Sequence, residues 1–310
     1  MKNATVSHLP GKFLSKKDSV PDRIDIDLYA DEAPGAENIT FPNLPFEYRH
    51  PRLSVLLPPP ERRTGTMVLI IPGGGYMYCS YEGPEGFGAA KFFTDRGICA
   101  AVLQYRRNMF RKPDGSLELI YRENVALADA ERAMQLLRAR ASSCWKIQHD
   151  RIGALGFSAG GHIACCMAVH AGEHTENMQL ARIPDAARPD FLILAYSLIS
   201  MAPPWSGEIW RSNLLGKEFS PAAAHYYSCQ NYVSAKFPPA FLMVADDDFT
   251  VHDMEEFDRA LNEKHCAHEF LRLNRGGHGF GLGSVDAAAT DGPASWPRHL
   301  EDFLKKQNLL

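Results

Sequence analysis

The sequence predicts an α/β fold in which a mostly parallel, twisted sheet is covered by helices on both faces. Six short runs of consecutive apolar residues, in which apolar and polar residues do not alternate, recur along the chain. Most segments between them have helical composition. Unalternating apolar runs are typical of parallel strands that are buried on both faces. Strands that alternate with helices form sheets that are covered on both sides.

Length and composition are those of an ordinary folded domain. The 310 residues include 45% hydrophobic and 23% charged residues, and the formal net charge is −4. This length suits one large α/β domain or two small ones. Lysine and arginine are scattered, so we expect no nucleic-acid partner.

The sequence also bears on the cellular compartment. No apolar run approaches the ~18 residues that a spanning helix needs, so no membrane association is expected. The amino terminus has no apolar segment of the kind found in signal peptides. The seven cysteines are irregularly spaced and contain no C-x-x-C pair, so neither a zinc motif nor a redox motif is indicated. We therefore expect a cytoplasmic protein with reduced thiols.

The first part of the chain differs from the rest. Residues 1–47 are rich in Pro, Asp and Asn, and we interpret them as an arm or partial cover over a single main domain at 48–310. Apolar and polar residues alternate in the segment 24–29, which predicts an edge strand within this arm. An edge of this kind can serve a homodimer or simply cover the core, and the sequence leaves both open.

The main domain contains the six apolar runs and five helical segments. The predicted parallel strands are 67–71, 98–103, 152–157, 191–196, 240–245 and 268–273. The predicted helices are 87–94, 122–141, 162–170, 254–264 and 296–306.

One connection, residues 197–239, interrupts the alternation of strands and helices. A segment of this length is usually functional, so we interpret it as a lid-like insertion or partial cap beside a site. The alternative is a helical excursion whose aromatic side chains only pack on the domain.

The segment 152–162 contains the pattern of a serine nucleophile. An apolar run leads into a G-x-S-x-G motif, Gly156 to Gly160 with Ser158 at its centre, and small helix-compatible residues follow. A serine on a sharp strand-to-helix turn needs glycine neighbours, because other backbone must pass close by. The free N–H groups of the following helix favour negative charge.

A glycine loop precedes this motif in the chain. The strand 67–71 runs into Gly73, Gly74 and Gly75, and consecutive glycines cost backbone entropy. Such a loop can direct N–H groups at a developing oxyanion, and the amide of Ala159 would complete the hole. We expect Gly74 and Gly75 to be the donors. A phosphate-binding loop is the weaker alternative, because no lysine follows in the required register.

An acid and a histidine follow two later strands. Three aspartates, 246–248, come after the strand 240–245, and His278 lies between glycines after the strand 268–273. Ligands of open parallel sheets bind at this edge, so His278 is expected to take the serine proton while one aspartate orients its ring. His162, next to the serine motif, is the competing histidine, and we expect it to be a structural donor.

Together these motifs resemble those of α/β-hydrolase-fold serine esterases, specifically the acetyl-xylan-esterase-like and BD-FAE-type enzymes near the hormone-sensitive-lipase-like carboxylesterases. The resemblance covers about residues 66–306. Besides the glycine, serine and histidine motifs, it rests on Tyr81-Glu82-Gly83, Gln104-Tyr105-Arg106, Asp129 to Ala133, Arg151-Ile152-Gly153, Asn213 to Gly216 and Ala245 to Asp248.

The resemblance implies roles for individual residues. Ser158 matches the family's nucleophile and His278 its base. The family's acid stands three residues before a valine, and that register selects Asp248. His252 occupies the place where proline is usual, so Asp247 remains a second choice. The resemblance also implies that neither a metal nor another cofactor is needed.

We therefore expect a serine carboxylic-ester hydrolase that removes short acyl groups, acetyl above all, from a carbohydrate or small-molecule ester through an acyl-enzyme. A serine peptidase or amidase of the same fold would use the same triad, so it remains an alternative. A non-catalytic binding module is disfavoured, because the triad and the oxyanion glycines are all present.

Aromatic side chains are the candidates for substrate binding. Tyr76 and Tyr78 follow the glycine loop, and Trp205 and Trp210 lie in the lid-like insertion. They can stack on sugar rings or line an apolar pocket, and the sequence does not decide between these roles.

Arg106 and Glu82 are charged residues of the matched segments. We expect them to form a buried structural pair near the site rather than to act in catalysis. Arg106→Ala is then expected to reduce stability before it changes specificity.

Overall fold

One eight-stranded sheet forms the centre of the protein. The structure is a computed structural model that describes residues 22–41, 43–121, 124–171, 186–204, 207–282 and 291–310. The strands of the sheet are β1 (Asp22–Asp27), β2 (Arg52–Leu57), β3 (Met67–Ile71), β4 (Cys99–Gln104), β7 (Ile152–Phe157), β8 (Leu192–Ala195), β9 (Ala240–Ala245) and β10 (His268–Leu273), and a separate hairpin is formed by β5 (Met109–Arg111) and β6 (Leu117–Leu119).

The sheet is parallel except at one end. Its order is β1-β2-β4-β3-β7-β8-β9-β10, in which β2 pairs antiparallel with β1 and β4 and all later pairs are parallel. Every residue of β3 and β7 is buried, so these two strands form the centre of the core. The loops that follow β3, β7, β9 and β10 therefore meet at one edge of the sheet.

Seven α-helices accompany the sheet in the described part of the chain. They are α1 (Ala89–Asp95), α2 (Val125–Arg140), α3 (Ala159–Val169), α4 (Glu208–Leu215), α5 (Pro221–Tyr226), α6 (Val251–Glu263) and α7 (Trp296–Lys306). α2 packs on α3, which covers β7 and β8. An ion pair of 2.8 Å between Arg96, at the end of α1, and Glu301 of α7 joins two other helices. The predicted fold class is confirmed.

No helix in the described ranges combines the length and the apolar character that crossing a bilayer requires.

All six predicted parallel strands are present, with bounds that differ by one residue at β4 and β8. The prediction that each is buried on both faces fails for β10, most of whose residues are partly exposed. β10 is the last strand of the sheet and has a neighbour on one side only. The predicted edge strand is β1, which is hydrogen-bonded to β2, so part of the predicted arm belongs to the sheet. The domain boundary at residue 48 stays a prediction.

The lid-like insertion, residues 197–239, borders the glycine loop. It contains α4 and α5. The side-chain amide of Asn213 donates a hydrogen bond of 2.8 Å to the carbonyl oxygen of Gly75. The ring of Trp210 lies against the same glycine, since a Cβ there would come within 2.3 Å of Trp210 Cζ3. Opening and closing of this segment as a lid stays a prediction.

Candidate active site

Ser158 occupies the turn between β7 and α3. Its backbone angles are φ 51° and ψ −118°, and holding a non-glycine residue in such a conformation costs on the order of 1–3 kcal/mol. The close contacts explain the glycines on either side. A Cβ on Gly156 would lie 2.4 Å from the carbonyl oxygen of Gly160, and a Cβ on Gly160 would lie 2.0 Å from that of Ile71. The backbone therefore holds the serine at the carboxyl edge of the sheet.

His278 stands directly beside this serine. Its Nε2 lies 2.8 Å from Ser158 Oγ. The ring packs against Tyr196 and Phe249, with centroid separations of 4.9 and 4.3 Å. The side chain is 25% exposed, so it is fixed by its neighbours and still open to a substrate. Its geometry is that of a general base.

Asp248 contacts the other ring nitrogen of His278. Its Oδ2 lies 2.9 Å from Nδ1, and its side chain is fully buried. Oδ1 accepts two further hydrogen bonds from Thr250, from the backbone N–H at 2.8 Å and from Oγ1 at 2.9 Å. These contacts fix the carboxyl group in place, and an acceptor at this position favours the tautomer of His278 with a proton on Nδ1.

The neighbouring aspartates have different partners. Asp247 accepts a hydrogen bond of 2.8 Å from the backbone N–H of Gly277, so it supports the histidine loop rather than the ring. Asp246 forms an exposed ion pair of 2.7 Å with Arg272. Of the two acids that the sequence left open, the structure brings Asp248 to the histidine.

The glycine loop after β3 lies against the nucleophile. A Cβ on Gly73 would be 3.1 Å from Ser158 Cβ, and a Cβ on Gly74 would be 2.0 Å from a backbone carbonyl oxygen. Gly74 and Gly75 also have positive φ angles, 140° and 59°. Among the described residues, the N–H groups of Gly74, Gly75 and Ala159 donate no backbone hydrogen bond outside regular helices and strands. The three predicted oxyanion donors therefore make no such hydrogen bond within the described part of the protein.

Tyr76 and His162 form a buried pair beside this loop. The hydroxyl of Tyr76 lies 2.5 Å from His162 Nδ1, and His162 Nε2 lies 2.7 Å from the carbonyl oxygen of Tyr227. A carbonyl oxygen can only accept, so Nε2 donates to it and Nδ1 accepts from Tyr76. Both side chains are completely buried. Tyr76 thus stabilises the loop from inside, which corrects the expectation that its ring binds substrate.

The other predicted substrate-binding aromatics have different positions. Tyr78 is 58% exposed, close to the glycine loop. Trp205 lies outside the described residues. Trp210 is partly buried and lies against Gly75.

Trp210 and Phe249 form a stacked pair that we call the aromatic wall. Their centroids are 5.7 Å apart and their planes differ by 17°. Because Phe249 packs on His278 and Trp210 packs on Gly75, the wall runs from the histidine to the glycine loop. Phe249 is 51% exposed. Sequence reasoning did not select it, although its position directly after the triad acid was an available signal.

Glu85 is a buried carboxyl group that sequence reasoning also missed. Its Oε2 accepts a hydrogen bond from the N–H of Gly73, and its Oε1 accepts one from the hydroxyl of Tyr196, both at 2.9 Å. Burial raises the pKa of Glu85, while the two hydrogen bonds and the charge of His278 oppose this rise. Glu85 follows the matched segment Tyr81-Glu82-Gly83, so its place in the chain was a signal.

Arg106 pairs with Asp129, and the predicted partner Glu82 is exposed. The guanidinium of Arg106 contacts both carboxylate oxygens of Asp129 at 2.7 to 3.1 Å, and both side chains are buried. Burial raises the pKa of Asp129, and the charge of Arg106 opposes it. The prediction of a buried structural pair holds for Arg106, but its choice of partner was wrong.

One imidazole and two thiols form a buried group with the side chains of a metal site. His162, Cys166 and Cys229 offer ligand atoms within 4.8 Å of one another. Both ring nitrogens of His162 are already hydrogen-bonded to protein groups. Cys166 Sγ lies 3.9 and 3.7 Å from Nδ1 and Nε2, so it faces the ring rather than either lone pair. These contacts do not suit a metal ion.

Comparisons with known proteins identify a family and several similar chains. A family model named BD-FAE matches residues 53–261. An acetylxylan esterase of Xylanibacter ruminicola is 30% identical over 232 residues, which is 73% of this chain and 43% of that protein. Endo-1,4-beta-xylanase B of Butyrivibrio fibrisolvens is 33% identical over 216 residues, which is 68% of this chain and 32% of that protein. The chain thus spans less than half the length of these curated relatives.

Among solved structures, an acetyl ester-xyloside bifunctional hydrolase from Caldicellulosiruptor lactoaceticus is similar over nearly its whole length. The TM-score is 0.75 at 28% sequence identity, and the match covers 94% of this chain and 98% of that one.

Proposed function

This chain belongs to the BD-FAE family and has the α/β-hydrolase fold, and from this premise we propose that it is a serine esterase that removes short acyl groups. The observation that carries the proposal is a pair of hydrogen bonds made by His278. Its Nε2 lies 2.8 Å from Ser158 Oγ, and its Nδ1 lies 2.9 Å from Asp248 Oδ2. A serine hydroxyl is a weak nucleophile until a positioned base accepts its proton.

Acylation starts with attack of Ser158 Oγ on the ester carbonyl carbon. His278 Nε2 takes the hydroxyl proton as the new C–O bond forms, and Asp248 stabilises the resulting imidazolium through Nδ1. The imidazolium then gives this proton to the alcohol oxygen as the ester bond breaks. The alcohol leaves and the acyl group stays on Ser158.

The amides of Gly74, Gly75 and Ala159 stabilise the negative charge that develops on the carbonyl oxygen. Each donor of this kind contributes roughly 3–4 kcal/mol in acyl-transfer enzymes, because it is aimed before the charge appears. Ala159 is the first residue of α3, so the helix dipole adds to the effect. Deacylation repeats the sequence with water, which His278 deprotonates as it attacks the acyl-enzyme.

We infer that the ester is an acetyl or other short acyl ester of a carbohydrate. Two of the similar proteins are named as an acetylxylan esterase and an acetyl ester-xyloside hydrolase. His278 protonates the leaving alcohol, and Phe249 packs on the same imidazole, so Phe249 lies near the alcohol group. The aromatic wall of Trp210 and Phe249 then offers exposed apolar surface to a sugar ring, since Phe249 is 51% exposed.

The test is acetate release from acetylated mono- and oligosaccharides, measured beside ethyl acetate and the acetate, butyrate and octanoate esters of p-nitrophenol. We expect acetylated sugars to be hydrolysed with a higher kcat/KM than ethyl acetate, and p-nitrophenyl octanoate to be the poorest aryl ester. Phe249→Ala should lower kcat/KM for the sugar acetate by roughly 3- to 10-fold and leave ethyl acetate within about twofold, because only the sugar can stack.

Phe46→Ala is the matched control, since Phe46 is an exposed aromatic outside the wall. It should leave both substrates unchanged. Equal losses on sugar acetate and ethyl acetate in Phe249→Ala would contradict sugar stacking. Activity that rises from acetate to octanoate would make the protein a carboxylesterase for longer acyl chains instead. No hydrolysis of any ester in the panel would refute the esterase proposal.

A further inference from the structure

Glu85 lies beside the nucleophile but is not hydrogen-bonded to any of the three triad residues. A Cβ on Gly73 would be 2.7 Å from Glu85 Oε2 and 3.1 Å from Ser158 Cβ, so the carboxyl group and the nucleophile flank the same glycine. Glu85 is 6% exposed and is carried by a short π-helical turn, Pro84–Gly88. An acidic group buried this deeply next to a reaction centre calls for a physical explanation.

The hydrogen bonds around Glu85 suit a carboxylate. The N–H of Gly73 donates to Oε2. The N–H of Gly281 donates to the hydroxyl oxygen of Tyr196 at 2.8 Å, and the single hydroxyl proton of Tyr196 goes to Oε1. Both carboxyl oxygens thus have a donor opposite them, which is the arrangement that stabilises a carboxylate.

Tyr196 connects this carboxylate to the histidine loop. Its ring is fully buried and packs edge-on against His278 at 4.9 Å, and Gly281, which its hydroxyl binds, follows His278 by three residues. Its φ angle is 37°, an unusual value for a tyrosine, and such strain clusters at functional sites. Tyr196 thus contacts the loop at two points, the imidazole and the backbone.

Glu85 consequently binds both halves of the catalytic machinery. Through Gly73 it fixes the loop that carries Gly74 and Gly75, and through Tyr196 it fixes the loop that carries His278. We propose that Glu85 is a positioning residue for the esterase reaction, an inference that rests on the proposed function. Its carboxylate holds the oxyanion loop and the histidine loop in register, and its negative charge favours the imidazolium that forms on His278.

The other titratable groups that face Glu85 are Tyr196, Tyr105 and Cys79. Burial raises the pKa of both tyrosines well above the ordinary value, and it raises the pKa of Cys79 to about 12. These groups are therefore neutral near neutral pH. A change in the pH profile after substitution of Glu85 then reports on its charge and the histidine.

The experiment compares wild type with Glu85→Gln, Tyr196→Phe and Glu82→Gln. Glu82 is the matched control, because it is an exposed glutamate three residues away. Active sites are titrated with a fluorophosphonate, so that kcat is expressed per reactive Ser158. kcat and KM for p-nitrophenyl acetate are then measured from about pH 5 to pH 9, together with the melting temperature.

Glu85→Gln should lower kcat per titrated site roughly 100-fold with KM within about threefold, because the oxyanion donors act mainly in the transition state. The acidic limb of kcat/KM should also change, since an amide brings no negative charge to the site. Tyr196→Phe should lower kcat about 10-fold, because the N–H of Gly281 loses its acceptor. Glu82→Gln should match wild type.

A lower melting temperature with unchanged kcat per site and an unchanged acidic limb would make Glu85 merely structural and overturn the proposal. If Glu85→Gln does not fold, Tyr196→Phe tests the positioning role of Glu85 by the same criteria. A wild-type kcat per titrated site in Tyr196→Phe would then overturn the proposal. An inactive wild type would refute the esterase function instead. In that case the rate of fluorophosphonate labelling in Glu85→Gln, relative to wild type, still tests the positioning role, and equal rates would overturn it.

Discussion

The carboxylate of Asp248 meets Nδ1 of His278 at 2.9 Å, whereas the preceding carboxylate, Asp247, binds the backbone N–H of Gly277. Two adjacent acids thus support the same loop in different ways, one through the ring and one through the backbone. Only the contact of Asp248 can select the tautomer of the base. This difference gives a matched pair of substitutions.

Asp248→Asn should lower kcat/KM roughly 10³- to 10⁴-fold, because an amide no longer holds the base in the productive tautomer. Asp247→Asn should stay within about threefold of wild type, since its remaining oxygen can still accept from Gly277. Steady-state kinetics on p-nitrophenyl acetate measure both. The reverse ranking would assign the triad acid to Asp247.

The fold and the nucleophile could be predicted because their signals are local. Unalternating apolar runs mark buried parallel strands, and the glycines around Ser158 reflect backbone contacts within a single turn. The order of the acid and histidine loops along the chain then followed from the strands that precede them. Each of these inferences needs only neighbouring residues and the general geometry of a parallel sheet.

The remaining features depend on contacts between residues that are distant in the chain. Glu85 meets Tyr196 across 111 positions, and Tyr76 meets His162 across 86. Neither pair shares a local motif, so the sequence could not indicate that Tyr76 faces inward. Glu82 and Asp129 are about equally far from Arg106 in the chain, so sequence separation could not show that Asp129 on α2 is its partner.

Backbone strain at Ser158 should be measurable as stability. At φ 51° and ψ −118° a side chain is unfavourable, and glycine removes that penalty. Ser158→Ala should keep the wild-type free energy of unfolding and reduce turnover to less than roughly a thousandth of wild type. Ser158→Gly should be equally inactive but about 1 kcal/mol more stable than Ser158→Ala. Urea unfolding distinguishes them, and equal stability would show that the turn stores no strain.

The buried pair of Arg106 and Asp129 should matter for stability rather than for catalysis. Arg106→Ala leaves a buried carboxylate without its partner, so we expect a loss of about 3–5 kcal/mol in the free energy of unfolding. Lys91→Ala is the control, because its pair with Asp95 is exposed and should contribute less than about 0.5 kcal/mol. Urea unfolding gives both values.

Activity per folded molecule should be nearly unchanged in Arg106→Ala. The guanidinium contacts Asp129 and the carbonyl oxygen of Pro34, and neither belongs to the triad or to the glycine loop. Active-site titration corrects for unfolded protein. A folded variant with a selective loss of kcat of more than about 10-fold would show that Arg106 acts on the site.

Asp253 should make the protein less stable as the pH rises through the weakly acidic range. It is 2% exposed on α6 and accepts one hydrogen bond, from the N–H of Ser200 at 3.2 Å. Burial raises the pKa of Asp253 to about 7, although the hydrogen bond from Ser200 opposes the rise. The native state therefore binds this proton more tightly than the unfolded state, whose aspartate titrates near 4.

The sign of the effect follows from that difference. The contribution of protonated Asp253 to stability is complete below about pH 4 and is lost progressively up to about pH 7, where the carboxyl group ionises in the native state. Asp253→Asn keeps an acceptor for Ser200 without the charge, so it should be about 2–4 kcal/mol more stable than wild type at pH 8 and nearly equal to it at pH 4. Asp302→Asn, an exposed aspartate on α7, should show no such dependence. Urea unfolding at pH 4 and pH 8 measures the free energy of unfolding of each variant. If Asp253→Asn exceeds wild type by the same amount at both pH values, Asp253 does not titrate between them.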